Sequence, residues 1–147
     1  MPSIKVTPTK GLFQRGGTSA IPNGSLSGYK RVVTAKTDDY TLLQADCGSV
    51  LSFSGGAHTL TLPALADSKG FHATMFIASA HEMIITGPSS KLTMVSVNAT
   101  ETDVVERDHA FTTATLSAGA IGDRFDIYCQ GDWWVLTGFT NAAVAAT

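Results

Sequence analysis

The segment GDRFDIYCQGDWWVLTGF, residues 122–139, decides the fold that the sequence predicts. Apolar and polar side chains alternate through its first half, and a Gly-Asp turn and a second apolar run follow. Two runs of period 2 around such a turn predict an antiparallel β-hairpin. Because successive side chains of a strand point to opposite faces, Trp133 and Trp134 cannot both enter one core. One tryptophan therefore needs a second apolar surface, from another sheet, another subunit or a ligand.

The composition favours β-structure along the whole chain. Its 147 residues include 19 threonines but only three glutamates and three glutamines, and β-branched residues suit strands whereas straight-chain polar residues favour helices. Hydrophobic residues make up 44% of the chain, which is enough for one domain with a core and too much for intrinsic disorder. No apolar run reaches the ~20 residues that span a bilayer, and the N-terminus lacks the apolar part of a signal peptide. We therefore expect one soluble domain, made in a cytoplasm, with no membrane partner.

Short strand-like runs follow one another along most of the chain, with Gly, Pro, Asp, Ser or Asn between them. They are Lys30–Lys36, Tyr40–Leu43, Ser49–Phe53, His58–Leu62, Phe71–Ala78, Met83–Thr86, Leu92–Val97, Thr102–Val105, Ala110–Leu116, Arg124–Cys129 and Trp133–Phe139. Such spacing predicts a sandwich or barrel. The fold prediction is all-β: an antiparallel β-sandwich with jelly-roll-like topology. A phase slip between Met94 and Val95 also predicts a β-bulge.

Charge and patterning set the N-terminal part of the chain apart. Residues 1–36 carry six basic residues and no acidic one, whereas residues 37–147 carry four basic residues and all twelve acidic ones. Residues 1–28 are rich in Pro, Gly, Ser and Thr without a sustained apolar period, which is typical of an extended segment. The sequence therefore predicts an extended basic N-terminal arm over residues 1–36 and a β-sandwich body over residues 37–147. The arm is either a loosely held terminus or a segment that lies on an acidic or polar partner, with Phe13 as its anchor.

No pattern in the sequence points to catalysis, a cofactor or a metal. His81-Glu82-Met83-Ile84-Ile85 begins like the zinc-protease motif H-E-x-x-H but has an isoleucine where the second histidine must stand. The other histidines are isolated, and the acidic pairs lack the D-x-D-x-D-G loop of a calcium site. We expect no enzymatic activity and no cofactor.

The two cysteines and the basic arm can also be explained without a disulfide, a metal or a nucleic acid. Cys47 and Cys129 are too few for a disulfide scaffold and lack metal spacing; buried reduced thiols in strands explain them, and a bridge between them is the alternative. The arm's basic residues could neutralise phosphates, but the acidic body and the lack of basic–aromatic strands argue against a nucleic-acid partner.

An ordered series of short signatures runs through residues 40–139. It consists of Tyr40-Thr41-Leu42, Asp46-Cys47-Gly48-Ser49-Val50, Leu60-Thr61-Leu62-Pro63, Gly70-Phe71, Gly122-Asp123 with Phe125, and Gly131 with Trp134, Val135, Leu136 and Gly138. In this order the signatures resemble small β-rich virion proteins of tailed bacteriophages, found as capsid decoration (cement) proteins and tail-fibre modules. The lysine of the family's D-S-G-K turn is missing here, Trp133 is additional, and the arm lies outside the resemblance.

The resemblance implies a homotrimer and an answer for the two tryptophans. Trp134 and Leu136 would enter the core, and Trp133 and Val135 would lie at a subunit interface, where aromatic anchors contribute most. The alternatives are that Trp133 packs under the arm or is simply half exposed.

The resemblance also implies the function. We expect a non-enzymatic capsid decoration protein, made in the host cytoplasm, that binds the major capsid protein on the outer surface of the phage head and stabilises the shell. Arm residues Lys5, Lys10, Phe13 and Arg15 are the candidate capsid contacts. The alternative is a tail-fibre or receptor-binding module that recognises host-surface glycans.

Overall fold

A computed structural model describes the backbone of residues 3–7, 11–15, 31–99 and 105–147, and side chains within 31–99 and 108–147. The chain divides into two units, residues 1–30 and 31–147.

The first unit contains an antiparallel pair of strands within the predicted arm. Strands β1 (Ser3–Thr7) and β2 (Gly11–Arg15) pair so that the Cα atoms of Lys5 and Phe13 are opposite each other. This part of the arm is therefore a strand pair and not a single extended segment. Lys10 and the side chains of the other three candidate capsid contacts lie outside the described residues, so their predicted role stays a prediction.

The second unit is built from strands in two sheets. They are β3 (Val33–Lys36), β4 (Tyr40–Thr41), β5 (Val50–Phe53), β6 (His58–Thr61), β7 (His72–Ile77), β8 (His81–Thr86), β9 (Leu92–Asn98), β10 (Val105–Phe111), β11 (Thr113–Gly119), β12 (Arg124–Cys129), β13 (Trp134–Thr140) and β14 (Ala145–Ala146). The larger sheet has the order β10-β9-β13-β12-β7-β5-β3, and the smaller has the order β14-β11-β8-β6-β4. Short 3-10 turns lie at Gln44–Asp46 and Leu65–Asp67. Within the described residues, no helix has the length and apolar character needed to cross a membrane.

The two sheets pack against each other around one core, which confirms the predicted all-β sandwich. Strand β12 alternates exposed and buried at every residue, so Phe125, Ile127 and Cys129 point into the core as their spacing predicted. Trp134 and Leu136 of the adjoining strand are fully buried. At ~25 cal/mol per Å² of apolar surface removed from water, such inward-facing residues are what hold the sheets together.

The sheets are mixed and not wholly antiparallel, which corrects the predicted jelly-roll-like pairing. From β3 to β8 the chain crosses to the other sheet at every step, so strands two apart in sequence become neighbours and run parallel. β13 also runs parallel to β9. Alternating side chains define the two faces of a strand but not the direction of its neighbour, so the pattern alone could not distinguish these pairings.

The body begins earlier than the sequence predicted. Val33–Lys36, assigned to the arm, form the edge strand of the larger sheet. Just before it, the Arg31 guanidinium donates hydrogen bonds to the carbonyl oxygens of Gly48 (3.1 Å) and Ser49 (3.2 Å). The strand was predicted within Lys30–Lys36, but the division of charge placed it in the arm, and that division does not coincide with the start of the sandwich.

The bulge predicted at Met94 is absent, and this prediction was wrong. β9 alternates without interruption, because the polar residues Ser96 and Asn98 take inward positions and are buried. The register shifts instead in the neighbouring β10, at Ala110, whose φ of 62° lies in the left-handed region.

Candidate functional site: the outer face of the larger sheet

The outer face of the larger sheet is a regular array of side chains. Residues paired in register across neighbouring strands share a face, so the pairings of β9, β13, β12 and β7 define three rows. The rows are Thr93–Val135–Tyr128–His72, Val95–Thr137–Asp126–Thr74 and Val97–Phe139–Arg124–Phe76. We call this array the apolar face, since six of its twelve positions carry valine, phenylalanine or tyrosine.

Several large apolar side chains of the apolar face are open to solvent. Tyr128 is 47% exposed, Phe139 42% and Val95 38%. Val97 and Val135 lie beside them and are half-buried. Contiguous exposed apolar surface marks interaction sites. This face therefore has the character of a surface that packs against another protein.

A groove of about 400 Å³ continues the apolar face at the end of β9 and β13. Val97 and Phe139 of the face line one side, and Ile121, which is 71% exposed, lies on the loop between β11 and β12. The groove extends the exposed apolar surface from the flat sheet to the end of the sandwich.

The buried carboxylate of Asp123 holds the rim of the groove in place. One carboxylate oxygen accepts a hydrogen bond from the Ala120 backbone N–H (2.9 Å), and the other accepts one from the Asn141 N–H (2.9 Å). Asp123 is 5% exposed, and charge-assisted bonds to backbone N–H groups are the strong kind. The carboxylate therefore ties together the two loops that form the groove.

Charged groups on the apolar face are tied to their neighbours. The Arg124 guanidinium lies 4.6 Å from the centre of the Phe139 ring, and the Thr74 hydroxyl donates to an Asp126 carboxylate oxygen at 2.6 Å. One positive and one negative side chain thus stand two residues apart on the same face of β12.

The two tryptophans point in opposite directions, as predicted, although Trp133 precedes β13 and only Trp134 lies in it. Trp134 is fully buried, its indole N–H donates to the Pro63 carbonyl oxygen (3.0 Å), and its ring meets Phe71 edge to face at 5.7 Å. Trp133 is half-buried on the outer side. Its ring centroid lies 4.3 Å from that of His109, and the Lys91 ammonium lies 4.9 Å from it. Part of the second surface that Trp133 needs therefore comes from its own chain, and its place with Val135 at a subunit interface stays a prediction.

The outer face of the smaller sheet has a different chemistry. Its register gives the rows Thr41–Thr61–Thr86–Thr113 and Thr59–Ile84–Thr115–Ala145. We call this array the threonine face. It carries hydroxyl and methyl groups, and neither row contains an aromatic or a charged side chain.

The cysteines differ from each other, and the prediction of two buried thiols holds for one of them. Both are free, and Cys129 is buried at the inner end of β12. Burial raises the pKa of the Cys129 thiol, opposed by a backbone hydrogen bond from Gly131. Cys47 is exposed, with its sulfur 3.8 Å from His72 Nδ1. The prediction failed for Cys47 because this residue belongs to a turn after a 3-10 segment and not to a strand.

The histidine and acidic residues do not assemble a metal site in the described part of the chain. Within residues 31–99 and 108–147, no group of three or more His, Cys, Asp or Glu side chains is placed to hold an ion. His81 and Glu82 begin a strand, β8, and so point to opposite faces. The zinc-protease motif needs both metal-binding histidines on one side of a helix, which this strand cannot provide.

Sequence reasoning missed most of the apolar face. It identified Trp133 and Val135 but passed over Tyr128 and Phe139. The signal was present, because both aromatic residues occupy positions of the C-terminal hairpin that alternate with the core residues and would otherwise be polar.

No protein-family model matches the chain, and no curated protein matches it in sequence. The resemblance to phage virion proteins therefore depends on the short signatures alone. Several of these are required by the fold: Gly48, Gly70, Gly122 and Gly131 all have positive φ values, between 81° and 114°, a region that favours glycine. A Cβ atom on Gly138 would lie 2.7 Å from the Phe125 ring.

Proposed function

We propose that this protein is a non-enzymatic structural protein of a bacteriophage virion, a capsid decoration protein that acts as a homotrimer. The observation that carries the proposal is the apolar face, with its exposed Tyr128, Phe139 and Val95 and the adjoining groove. A surface of this kind supports a function that depends on packing against other proteins. The signatures of the phage virion modules supply the particular class.

In this proposal a neighbouring copy covers the apolar face. A stable interface buries ~800 Å² on each partner, and its binding energy concentrates in Trp, Tyr and Arg residues. Trp133, Tyr128 and Arg124 supply those residue types on the proposed interface, with Val135 between the aromatic rings.

The basic N-terminal segment is the proposed contact to the major capsid protein. A trimer presents three copies of Lys5, Lys10, Phe13 and Arg15, and linked weak contacts gain affinity through effective concentration. Because the trimer binds only the assembled lattice on the outside of the head, binding stabilises that lattice by mass action.

The trimer is tested by light scattering on the full-length chain and on two lysine variants. Wild type is expected at three times the mass of one chain. Val95→Lys places a charge in the centre of the apolar face, where burial without a partner is costly, and is expected to shift the mass to that of a monomer. Thr61→Lys, the matched control on the threonine face, is expected to remain a trimer.

A monomeric wild type, or equal behaviour of the two variants, would overturn the proposed interface. Capsid binding is tested separately, by co-sedimentation of the protein with assembled heads that lack it. Binding to host-surface glycans in place of heads would favour a receptor-binding module.

A further inference from the structure

Two histidines close one end of the core on the inner side of the smaller sheet. His58 begins β6 and His81 begins β8, and their ring centroids lie 5.2 Å apart in an edge-to-face arrangement. His58 is only 7% exposed, and its ring also packs 5.9 Å from that of Phe53 in the larger sheet. The pair therefore stands where hydrophobic residues would otherwise seal the sandwich.

The hydrogen bonds of the pair define where the ring protons are. His58 Nε2 lies 3.1 Å from the Ser54 carbonyl oxygen, and His81 Nδ1 lies 2.5 Å from the Ser79 carbonyl oxygen. A carbonyl oxygen only accepts, so each of these nitrogens carries a hydrogen and the other nitrogen of each neutral ring has a lone pair. The lone-pair nitrogen of His81, Nε2, is buried and has no hydrogen-bond partner.

No neighbouring element brings a charge to the pair that would stabilise a protonated ring. β5, β11 and the loops 54–57 and 78–80 contain no titratable residue, and His72 is at the far end of β7. The nearest acidic residues are directed elsewhere: Asp39 accepts a hydrogen bond from a β6 backbone N–H, Glu82 follows His81 and points to the other face, and Asp123 binds the loop N–H groups described above. Within the described residues, neither histidine forms an ion pair.

We propose that the His58–His81 pair is an acid-sensitive latch: two neutral rings close this end of the sandwich, and protonation opens it. A proton added to His81 Nε2 creates a buried charged donor without an acceptor, which is costly. A proton on His58 places a charge in the same enclosed site, and two charged rings also repel each other. Histidine is the side chain that gains its charge between about pH 5 and 8.

The sign of the effect follows from proton linkage. The unfolded chain takes up protons in this range that the closed latch does not hold, so stability is complete at neutral pH and is lost as the pH falls. The effect reaches at most about a tenfold change in the folding equilibrium constant per pH unit for each histidine.

The latch is connected to the groove at the end of the apolar face. His81 pairs with Gly119 of β11, and a Cβ atom on Gly119 would lie 2.5 Å from the His81 carbonyl oxygen. Gly119 leads directly into the loop 120–123 that lines the groove. Acid opening is therefore expected to weaken subunit contacts as well, a consequence that rests on the proposed function, whereas the loss of stability does not.

Urea unfolding of the full-length chain at about pH 7.5 and about pH 5, on either side of the usual histidine titration, tests the latch. The double variant His58→Gln/His81→Asn keeps the two donor nitrogens in place and cannot be protonated. On acidification, the folding equilibrium constant of wild type is expected to fall by a larger factor than that of the double variant. Equal pH dependence in wild type and double variant would overturn the latch.

Nuclear magnetic resonance of the wild-type imidazoles provides a test that does not depend on the variant folding. The His58 and His81 rings are expected to keep the signals of neutral histidine in the folded chain at about pH 5, below the usual histidine range, and signals of charged rings there would falsify the proposal. Light scattering separates the two proposals: a monomer at neutral pH contradicts the trimer and leaves the urea result intact.

Discussion

The two outer faces of the sandwich are built on the same strand geometry and present different chemistry. The apolar face carries exposed Tyr128, Phe139 and Val95, whereas the threonine face offers short hydroxylated side chains such as Thr61 and Thr115. Threonine is as suitable for a strand as valine, so β-structure itself does not require the difference. Under the proposed function, the difference lies in the neighbour of each face, which is protein for the apolar face and water for the threonine face. The apolar face keeps exposed hydrophobic side chains although they lower solubility, so it is the face to test for binding partners.

The largest expected difference is between the reaction rates of the two thiols, one buried inside the larger sheet and one exposed. At neutral pH a thiol reagent is expected to modify exposed Cys47 on mixing and to reach Cys129 only through unfolding, which slows the reaction by at least a factor on the order of 10³. Mass spectrometry after timed quenching gives both rates. Comparable rates for the two thiols would mean that the inner face of β12 opens readily.

The raised pKa of the Cys129 thiol adds a pH dependence to this contrast. Folding favours the neutral thiol, so its contribution to stability is intact below the ordinary thiol pKa and is lost as the pH rises above it. Urea midpoints at increasingly alkaline pH are therefore expected to fall more in wild type than in Cys129→Ala.

Substitution of the two adjacent tryptophans compares the stability contributions of a core position and an outer position. Trp134→Ala is expected to lower the free energy of unfolding by ~3–5 kcal/mol through the cavity it leaves. Trp133→Ala is expected to cost about 1 kcal/mol, since it loses mainly the partly exposed contacts with His109 and Lys91. Chemical unfolding of each variant at low protein concentration gives the values. A cost for Trp133 equal to that of Trp134 would contradict its placement on the outer face.

The smallest effect compares one threonine from each face. Thr74→Val removes the hydroxyl that bonds to Asp126 and is expected to cost about 1 kcal/mol. Thr115→Val on the threonine face is expected to stay within ~0.5 kcal/mol of wild type. Thermal unfolding of both variants checks the ordering, and a larger loss for Thr115→Val would show that the threonine face also has a structural partner.

The elements that local pattern determines were predictable. Arg124–Cys129 was predicted with the bounds that the structure has, and the opposed tryptophans followed from the period of a strand. Turn glycines such as Gly131 marked the strand ends because only glycine adopts their positive φ without strain.

The features that distant parts of the chain determine were not predictable. The parallel pairing of β5 with β7 depends on the crossovers between sheets, and so does the place of Val33–Lys36, predicted as a strand, at the edge beside β5. The latch was missed for the same reason: His58 and His81 are ordinary isolated histidines until the parallel pairing of β6 with β8 brings them together.

The position of β13 in the larger sheet has a consequence for biosynthesis. This strand lies between β9 and β12 in the sheet, yet it is synthesised after both of them. Until it arrives, β9 and β12 each present an open edge, and unpaired edges are templates for aggregation. Closure of the larger sheet must therefore follow translation of residues 134–140, and a chain interrupted before them would keep two unpaired edges and be prone to aggregation.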